Sequence, residues 1–279
     1  MIPKHIAIIM DGNRRFAKQK YIARQQGHMK GFDKLTETLE WCLDIGINEV
    51  TVYAFSIENF KRSKEEVDGL MQLLKVKLED LIADRKKIEE NGVCVRALGN
   101  ISLLPPHIQK LVAEVENLTS GFNRSFLNIC LAYTSREEMT SSIKLIAEGL
   151  AEGKLEDSDV DSKLIESCLY SNSCQPLDLL LRTSGEVRLS DFLLWQSSYT
   201  LLSFVNVLWP EFSRWDLYAA VLFYQRHQGQ LEDIKRAHDS KDTSVENELT
   251  DDTALRKEIF LEDVNNKKRQ QIENLISIK

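Results

Sequence analysis

The stretch His5-Ile6-Ala7-Ile8-Ile9-Met10-Asp11-Gly12-Asn13-Arg14-Arg15-Phe16-Ala17-Lys18 decides the fold. A short run of branched apolar residues passes directly into Asp-Gly-Asn, the commonest kind of turn sequence, and then into a helix-like segment. This order predicts a buried strand, a tight turn and a helix N-terminus. Working outward, similar apolar runs recur at residues 49–55, 93–98, 125–133, 177–181 and 200–207. Between them lie segments with helical spacing: Phe32, Leu35, Leu39 and Cys42; then Val67, Leu70, Leu74 and Leu78; then Ile108, Leu111, Val115 and Leu118. Strand alternating with helix predicts an α/β fold, a mostly parallel central sheet flanked by helices, with ligands beyond the C-terminal strand ends.

Local punctuation agrees. Ser63-x-x-Glu66 reads as a capping box opening the second long helix, Asn91-Gly92 as its end, and Pro105-Pro106 as the start of another. Residues 230–279 contain neither Gly nor Pro and are rich in Glu, Lys, Asp and Asn. The expected organisation is therefore a catalytic domain over 1–229 and a solvated, polar C-terminal helical tail over 230–279. Leu255, Ile259, Ile272, Leu275 and Ile276 give the tail only a broken stripe, too weak for a coiled coil and open to docking on the body or on a partner.

Of the 279 residues, 43% are hydrophobic and 28% charged, an ordinary globular balance that excludes disorder throughout. The net charge of -7 argues against nucleic acid as a partner. No apolar run is long enough to span a bilayer and the start has no apolar signal core, so the expectation is a soluble, intracellular protein. Five widely spaced cysteines, without C-x-x-C or a neighbouring histidine, read as reduced core thiols rather than a disulfide or zinc framework.

The polar residues just after each strand carry the chemistry. A turn through Gly12 at a helix N-terminus presents backbone N–H groups to an anion, and Arg14 and Arg15 add charge. Asp11 has two readings, an N-cap or a Mg²⁺ ligand that meets phosphate oxygens through the metal. The second strand delivers Ser56, Asn59 and Arg62, and the fifth delivers Arg182-Thr183-Ser184-Gly185-Glu186-Val187-Arg188-Leu189-Ser190. Guanidinium forks match phosphate oxygens, and this number of them suggests two diphosphates. The P-loop and dinucleotide fingerprints are both lacking, so the ligand is neither ATP nor a dinucleotide. His28 reads as a structural hydrogen-bonder or a ligand contact, and Trp41, Trp195, Trp209 and Trp215 as core or interface anchors.

Three segments carry a resemblance: residues 5–13, Tyr53-Ala54-Phe55-Ser56-Ile57-Glu58-Asn59, and Arg182-Thr183-Ser184-Gly185-Glu186-Val187-Arg188-Leu189-Ser190-Asp191-Phe192-Leu193-Leu194-Trp195-Gln196. Together they resemble the cis-prenyltransferases from about residue 3 to 226. Arg14, where bacterial undecaprenyl diphosphate synthases have Gly, and Glu186-Val187-Arg188 are similar to the eukaryotic dehydrodolichyl diphosphate synthase branch. The resemblance implies elongation of farnesyl diphosphate by successive isopentenyl diphosphates, with new double bonds in cis, to a long polyprenyl diphosphate used for dolichol and protein glycosylation.

By that similarity Asp11 holds Mg²⁺, and Gly12, Asn13, Arg14, Arg15, Arg24 and His28 surround the allylic diphosphate. Arg182, Arg188 and Ser190 bind isopentenyl diphosphate, and Ser56, Asn59 and Arg62 lie between, with Asn59 as a proton-handling or orienting residue, of which orientation is favoured because an amide is a poor base, and the catalytic set being Asp11, Asn59 and Arg62. Phe32, Leu35, Leu39, Leu70, Leu73, Leu74 and Leu78 are either tunnel lining for the growing chain or ordinary core.

Two departures from the bacterial pattern stand out. The family's metal-side glutamate aligns with Leu201, and the C-terminal R-x-G signature is missing after Arg226. Similar eukaryotic subunits take R-x-G from a Nogo-B-receptor-like accessory subunit, which implies a hetero-oligomer in peripheral association with the cytosolic face of the endoplasmic reticulum membrane. Two alternatives are a non-catalytic diphosphate-binding subunit of the same fold and a phosphate-ester hydrolase.

Overall fold

The computed structural model describes residues 1–242 and 251–277. Its strands are β1 (His5–Ile9), β2 (Glu49–Ser56), β3 (Val93–Leu98), β4 (Ser125–Tyr133), β5 (Leu179–Arg182) and β6 (Leu201–Phe204). The helices are α1 (Asn13–Gln19), α2 (Arg24–Ile45), α3 (Lys64–Ala83), α4 (Arg85–Asn91), α5 (Pro106–Thr119), α6 (Ser135–Ala151), α7 (Ser162–Ser167), α8 (Arg214–Asp242) and α9 (Asp251–Ser277). The sheet runs β3-β4-β2-β1-β5-β6 and every pairing among the described residues is parallel, a stricter arrangement than the mostly parallel sheet expected.

Period-2 alternation sorts β1 between two cores. Ile6 and Ile8 pack with Leu179 and Leu181 of β5 against α2, α3, α5 and α8, through Leu35, Leu74, Ile108 and Leu217. Ala7, Ile9 and Leu180 join Tyr133, Phe192 and Leu193 in the second core. Ile6 and Ile8 are fully buried, and burial of each such side chain contributes about 1.5–3 kcal/mol. Both faces covered is the usual reason a parallel sheet reads as uninterrupted apolar runs.

Some boundaries differ from the sequence expectation. The helix expected to run to Asn91-Gly92 is broken at Asp84 (φ -85°, ψ 26°), whose N–H closes α3 onto Asp80 O at 2.8 Å, and Gly92 in left-handed conformation ends the separate α4. The fifth strand starts at Leu179, because the Asp178 carboxylate accepts from the N–H groups of Lys4 (2.7 Å) and His5 (3.1 Å). The sixth is limited to Leu201–Phe204, since beyond the Val205 N to Arg182 O bond the pairing leaves register, with Ser184 N donating to Val207 O and Gly185 N to Val205 O.

The boundary drawn at 229/230 falls inside α8. Residues 243–250 and 278–279 of the expected tail lie outside the described residues. The described part, α9, lies against the body. Phe260, 3% exposed, enters a third core with Ile146, Leu155, Leu164 and Cys168, flanked by Leu261 and Val264. Arg256 donates twice to Asp159 at 2.8 Å, Lys257 meets Asp161 at 2.7 Å, and Lys154 meets Asp263 at 2.6 Å. Leu255 and Ile259 point outward instead, each 55% exposed. No described helix is long and apolar enough to cross a membrane. All five cysteines are unpaired; burial pushes the Cys42 thiol up to about 12.

Candidate active site

The three central strands β2, β1 and β5 end side by side, and the strand order reverses at β1, with β2 added on one side of it and β5 on the other. Such a reversal opens a crevice at the C-terminal strand edge. Register pairs Ile9 with Arg182, so Asp11, two residues beyond β1, stands across from the end of β5. Gly12 (φ +113°) makes the turn possible; a Cβ there would also press on Leu208. Gly12 is itself the N-cap of α1, without a side-chain capping bond. The cap reading of Asp11 therefore fails, because its carboxylate points at arginine.

Arg182 is 3% exposed and donates from Nη2 to Asp11 Oδ2 (2.9 Å), and from Nη1 to Ser190 Oγ (2.7 Å) and to Arg188 O. Arg15 Nη2 lies 3.5 Å from the same Asp11 oxygen, and Arg15 also donates to Ser184 O at 3.0 Å and to the Ser184 hydroxyl. Burial opposes ionisation of Asp11, but hydrogen bonds and charge from Arg182, with help from Ser184 and Arg15, outweigh it and hold the carboxyl below its ordinary range. Arg188 is exposed at the rim, paired with Glu186.

The main chain here is held in costly conformations. Ser184, Ser190, Asp191 and Leu193 all have φ between 47° and 78°, of order 1–3 kcal/mol each. Bonds from Ser135 N to Asp191 O (2.8 Å) and from Arg136 Nε to Asp191 Oδ2 (3.0 Å) fasten the loop. Tyr53 of β2 stacks on Phe192 at 4.4 Å and sets its hydroxyl 3.4 Å from Ser190 O.

At the end of β2, Asn59 Oδ1 accepts from Ser56 N (3.1 Å), closing a 3-10 turn over Ile57–Lys61. A second cationic group gathers beside it. Arg62 (Nη1, 2.9 Å), Arg24 (3.4 Å), Arg14 (3.9 Å) and His28 (Nε2, 4.0 Å) surround the carboxylate of Glu66. Burial, then the Arg62 charge against the opposing Glu66, with Arg14 added, pushes His28 down to about 4, so its ring is neutral at pH 7. Its buried Nε2 has no hydrogen-bond partner, nor has Asn13 Oδ1. Arg62 is lowered by burial and Arg14, while Asp11 pulls the other way, so the two cationic groups feel each other.

All the residues expected at the site thus reach the same sheet edge. Leu201 does not: it opens β6, paired with Leu179 at the far end of β5. The expected capping box is half made, since Ser63 Oγ accepts from Glu66 N (3.4 Å) while the Glu66 carboxylate turns to the arginines.

Sequence reasoning missed three residues. Glu66 was accounted for as a cap. The Thr183 hydroxyl bridges Asp11 N (3.0 Å) and Asp11 O (2.7 Å), a role its place beside Arg182 could have suggested. Trp209 donates its main-chain N–H to Asp11 O (3.0 Å) and Nε1–H to Gly31 O (2.7 Å), tying α2 to the Asp11 turn; no local signal marks it.

Arginines, hydroxyls and one carboxylate converging at the switch point of a parallel sheet define an enzyme that handles phosphate esters. The chain belongs to the undecaprenyl diphosphate synthase family of prenyltransferases: residues 9–232 match the family described as "Putative undecaprenyl diphosphate synthase". It is 54% identical over 231 residues to the dehydrodolichyl diphosphate synthase complex subunit of Mus musculus, covering 83% of this chain and 69% of the relative. It is 48% identical over 230 residues to the tritrans,polycis-undecaprenyl-diphosphate synthase (geranylgeranyl-diphosphate specific) of Methanocaldococcus jannaschii, covering 81% of each. Among solved structures it is similar to lavandulyl diphosphate synthase from Lavandula x intermedia in complex with dimethylallyl diphosphate. That match has a TM-score of 0.75 at 33% identity and covers 80% of this chain and 95% of the other.

Proposed function

We propose that this chain is the catalytic subunit of a cis-prenyltransferase that lengthens farnesyl diphosphate with successive isopentenyl diphosphates to a dehydrodolichyl-type polyprenyl diphosphate for dolichol and glycosylation. The observation that carries the reading is the Asp11–Arg182–Ser190 constellation standing beside a second arginine group at one sheet edge, in a chain of this family. A subunit without catalysis has no use for this arrangement, and a two-metal hydrolase needs a carboxylate cluster absent among the described residues.

Ionisation of an allylic diphosphate places positive charge on carbon and negative charge on the departing group. Arg14, Arg15, Arg24 and Arg62 are the chain's own counter-charges for that group, and the unpartnered N-atom of His28 is available to a phosphate oxygen. Arg182, Arg188 and Ser190 are assigned to isopentenyl diphosphate. Asn59 Oδ1 is committed to Ser56 N, which suits an orienting role rather than that of a base. Asp11 is a single, partly exposed carboxylate held below its ordinary range, which fits a Mg²⁺ completed by substrate oxygens and water. Bound there, Mg²⁺ would supply charge neutralisation at the leaving diphosphate. Leu35, Leu74 and Leu78 are buried in the main core, whereas Phe32, Leu39, Leu70 and Leu73 are half-buried, and these four are the better tunnel candidates.

The partner reading, a Nogo-B-receptor-like subunit contributing R-x-G, draws support from α8. The chain after Arg226 continues as helix to Asp242, and Trp215, Leu222 and Phe223 stand exposed on α8, near the edge strand β6. The proposed site of action is the cytosolic face of the endoplasmic reticulum membrane, where the partner or the apolar product would hold the chain peripherally. Mass analysis of the lipid formed from farnesyl or geranylgeranyl diphosphate, isopentenyl diphosphate and Mg²⁺ tests the function. A ladder rising by one isoprene unit per step is expected; free phosphate without longer lipid contradicts it.

A further inference from the structure

Glu66 is an acid in the middle of a site built for acids. Its side chain is 8% exposed, yet it sits on the first turn of α3 with Ser63 Oγ on its N–H. A glutamate at this helix position ordinarily turns back to the cap residue's N–H. Here it reaches instead to cations supplied by three other segments: Arg14 from α1, Arg24 and His28 from α2, and Arg62 from the loop before α3. The Arg62 bond, at 2.9 Å, is charge-assisted and stronger than a neutral capping bond.

We propose that Glu66 is a positioning residue that draws Arg14, Arg24 and Arg62 into one converging set, so that they already face the allylic diphosphate when it arrives. Three guanidinium groups repel one another, and each has long, rotamer-rich freedom that must be lost on binding. A carboxylate at their centre offsets the repulsion, fixes Arg62 through a 2.9 Å bond and draws Arg24 and Arg14 toward it at 3.4 and 3.9 Å, and a diphosphate offers acceptor oxygens of the same kind with more charge. His28 Nε2, partnerless and 4.0 Å from Glu66, waits at the same focus without a bond of its own. Glu66 thus holds the clamp open in shape and balanced in charge, and makes no contact with substrate itself.

This inference rests on the reading that these arginines accept the allylic diphosphate, so the test separates the two. The full chain with an R-x-G-bearing partner is compared as wild type, Glu66→Gln and Glu66→Asp. The readouts are inorganic pyrophosphate affinity by calorimetry, KM for farnesyl and for isopentenyl diphosphate, and the melting temperature. Glu66→Gln is expected to weaken pyrophosphate binding and raise the farnesyl diphosphate KM by about tenfold or more, a usual cost of misplaced binding groups. The isopentenyl diphosphate KM stays within twofold, and Glu66→Asp, which keeps the charge, recovers part of the loss. If Glu66→Gln fails to fold, Glu66→Asp carries the comparison, with an intermediate loss confined to the allylic side.

Unchanged or tighter pyrophosphate binding in Glu66→Gln overturns the proposal, as does equal weakening toward both substrates. Selective loss of pyrophosphate affinity in a protein whose wild type elongates nothing supports the positioning role and sinks the proposed function. A wild type that binds no pyrophosphate overturns both.

Discussion

Arg182 and Asp11 are paired at 2.9 Å across the ends of two adjacent parallel strands, the guanidinium buried and the carboxylate partly open to the cleft. The pair exists because Ile9 and Arg182 share a register position and Gly12 lets the chain turn immediately afterwards. It gives Asp11 one side to a fixed cation and the other to whatever enters. Replacing Asp11 with Ala should abolish turnover and leave the fold standing, with a loss of about 1–3 kcal/mol because buried Arg182 loses its carboxylate acceptor and keeps only Ser190 Oγ and Arg188 O. Steady-state incorporation and chemical denaturation on the same sample check both halves; near-normal elongation would contradict the metal assignment.

Gly31 lies in α2, where Ala is intrinsically favoured by roughly 0.5–1 kcal/mol. A Cβ there would overlap Asn13 Oδ1 and approach Asn13 Cγ to 2.9 Å. Gly31→Ala is therefore expected to destabilise by about 1–3 kcal/mol and to raise the allylic diphosphate KM by displacing Asn13. A variant as stable as wild type with unchanged KM would show that Asn13 yields freely.

His28, pushed down from 6.5 to about 4, binds fewer protons folded than unfolded between those values. Stability therefore rises with pH across that window, is complete above about 6.5, and is lost as pH falls toward 4. From pH 7 to pH 5 the wild type should lose about 2 kcal/mol more than His28→Gln, from the shift in proton affinity. Denaturant unfolding at the two pH values reads the difference, and equal losses would contradict a neutral, buried ring.

Phe260 anchors α9 in a small core, beside a cleft of about 730 Å³ between α9, α5 and α6. Phe260→Ala should cost about 3 kcal/mol, at the lower end for such truncations since one wall is already open. Hydrogen exchange is expected to quicken across α9 and to remain slow in β1 and β2. Uniform acceleration throughout would mean that α9 folds as one unit with the sheet.

The β1 turn was legible because strand, turn and helix chemistry all lie within residues 5–18 and agree with each other. Arg182 was legible for a similar reason, being a charge immediately after an apolar run, and Ser190 as a hydroxyl in the polar loop that follows it. Glu66 was hidden because a local explanation, the capping box, was already sufficient for a glutamate at that position. Trp209 acts through its main-chain N–H and through an indole N–H whose acceptor, Gly31 O, lies far away in the chain, so nothing local to residue 209 marks the role. The face that docks α9 was missed because Leu255 and Ile259 share helical spacing with each other just as Phe260 and Val264 do; only the third core decides between the two stripes. The break at Asp84 is a single non-helical ψ inside an otherwise helix-forming sequence, which spacing cannot reveal.

The central claim is that this sheet edge joins an allylic and a homoallylic diphosphate. Incorporation of labelled isopentenyl diphosphate into extractable lipid, with farnesyl diphosphate and Mg²⁺, tests it directly for the chain alone and with a partner carrying R-x-G. The account predicts strong incorporation with the partner and little without it; no incorporation in either sample would contradict it.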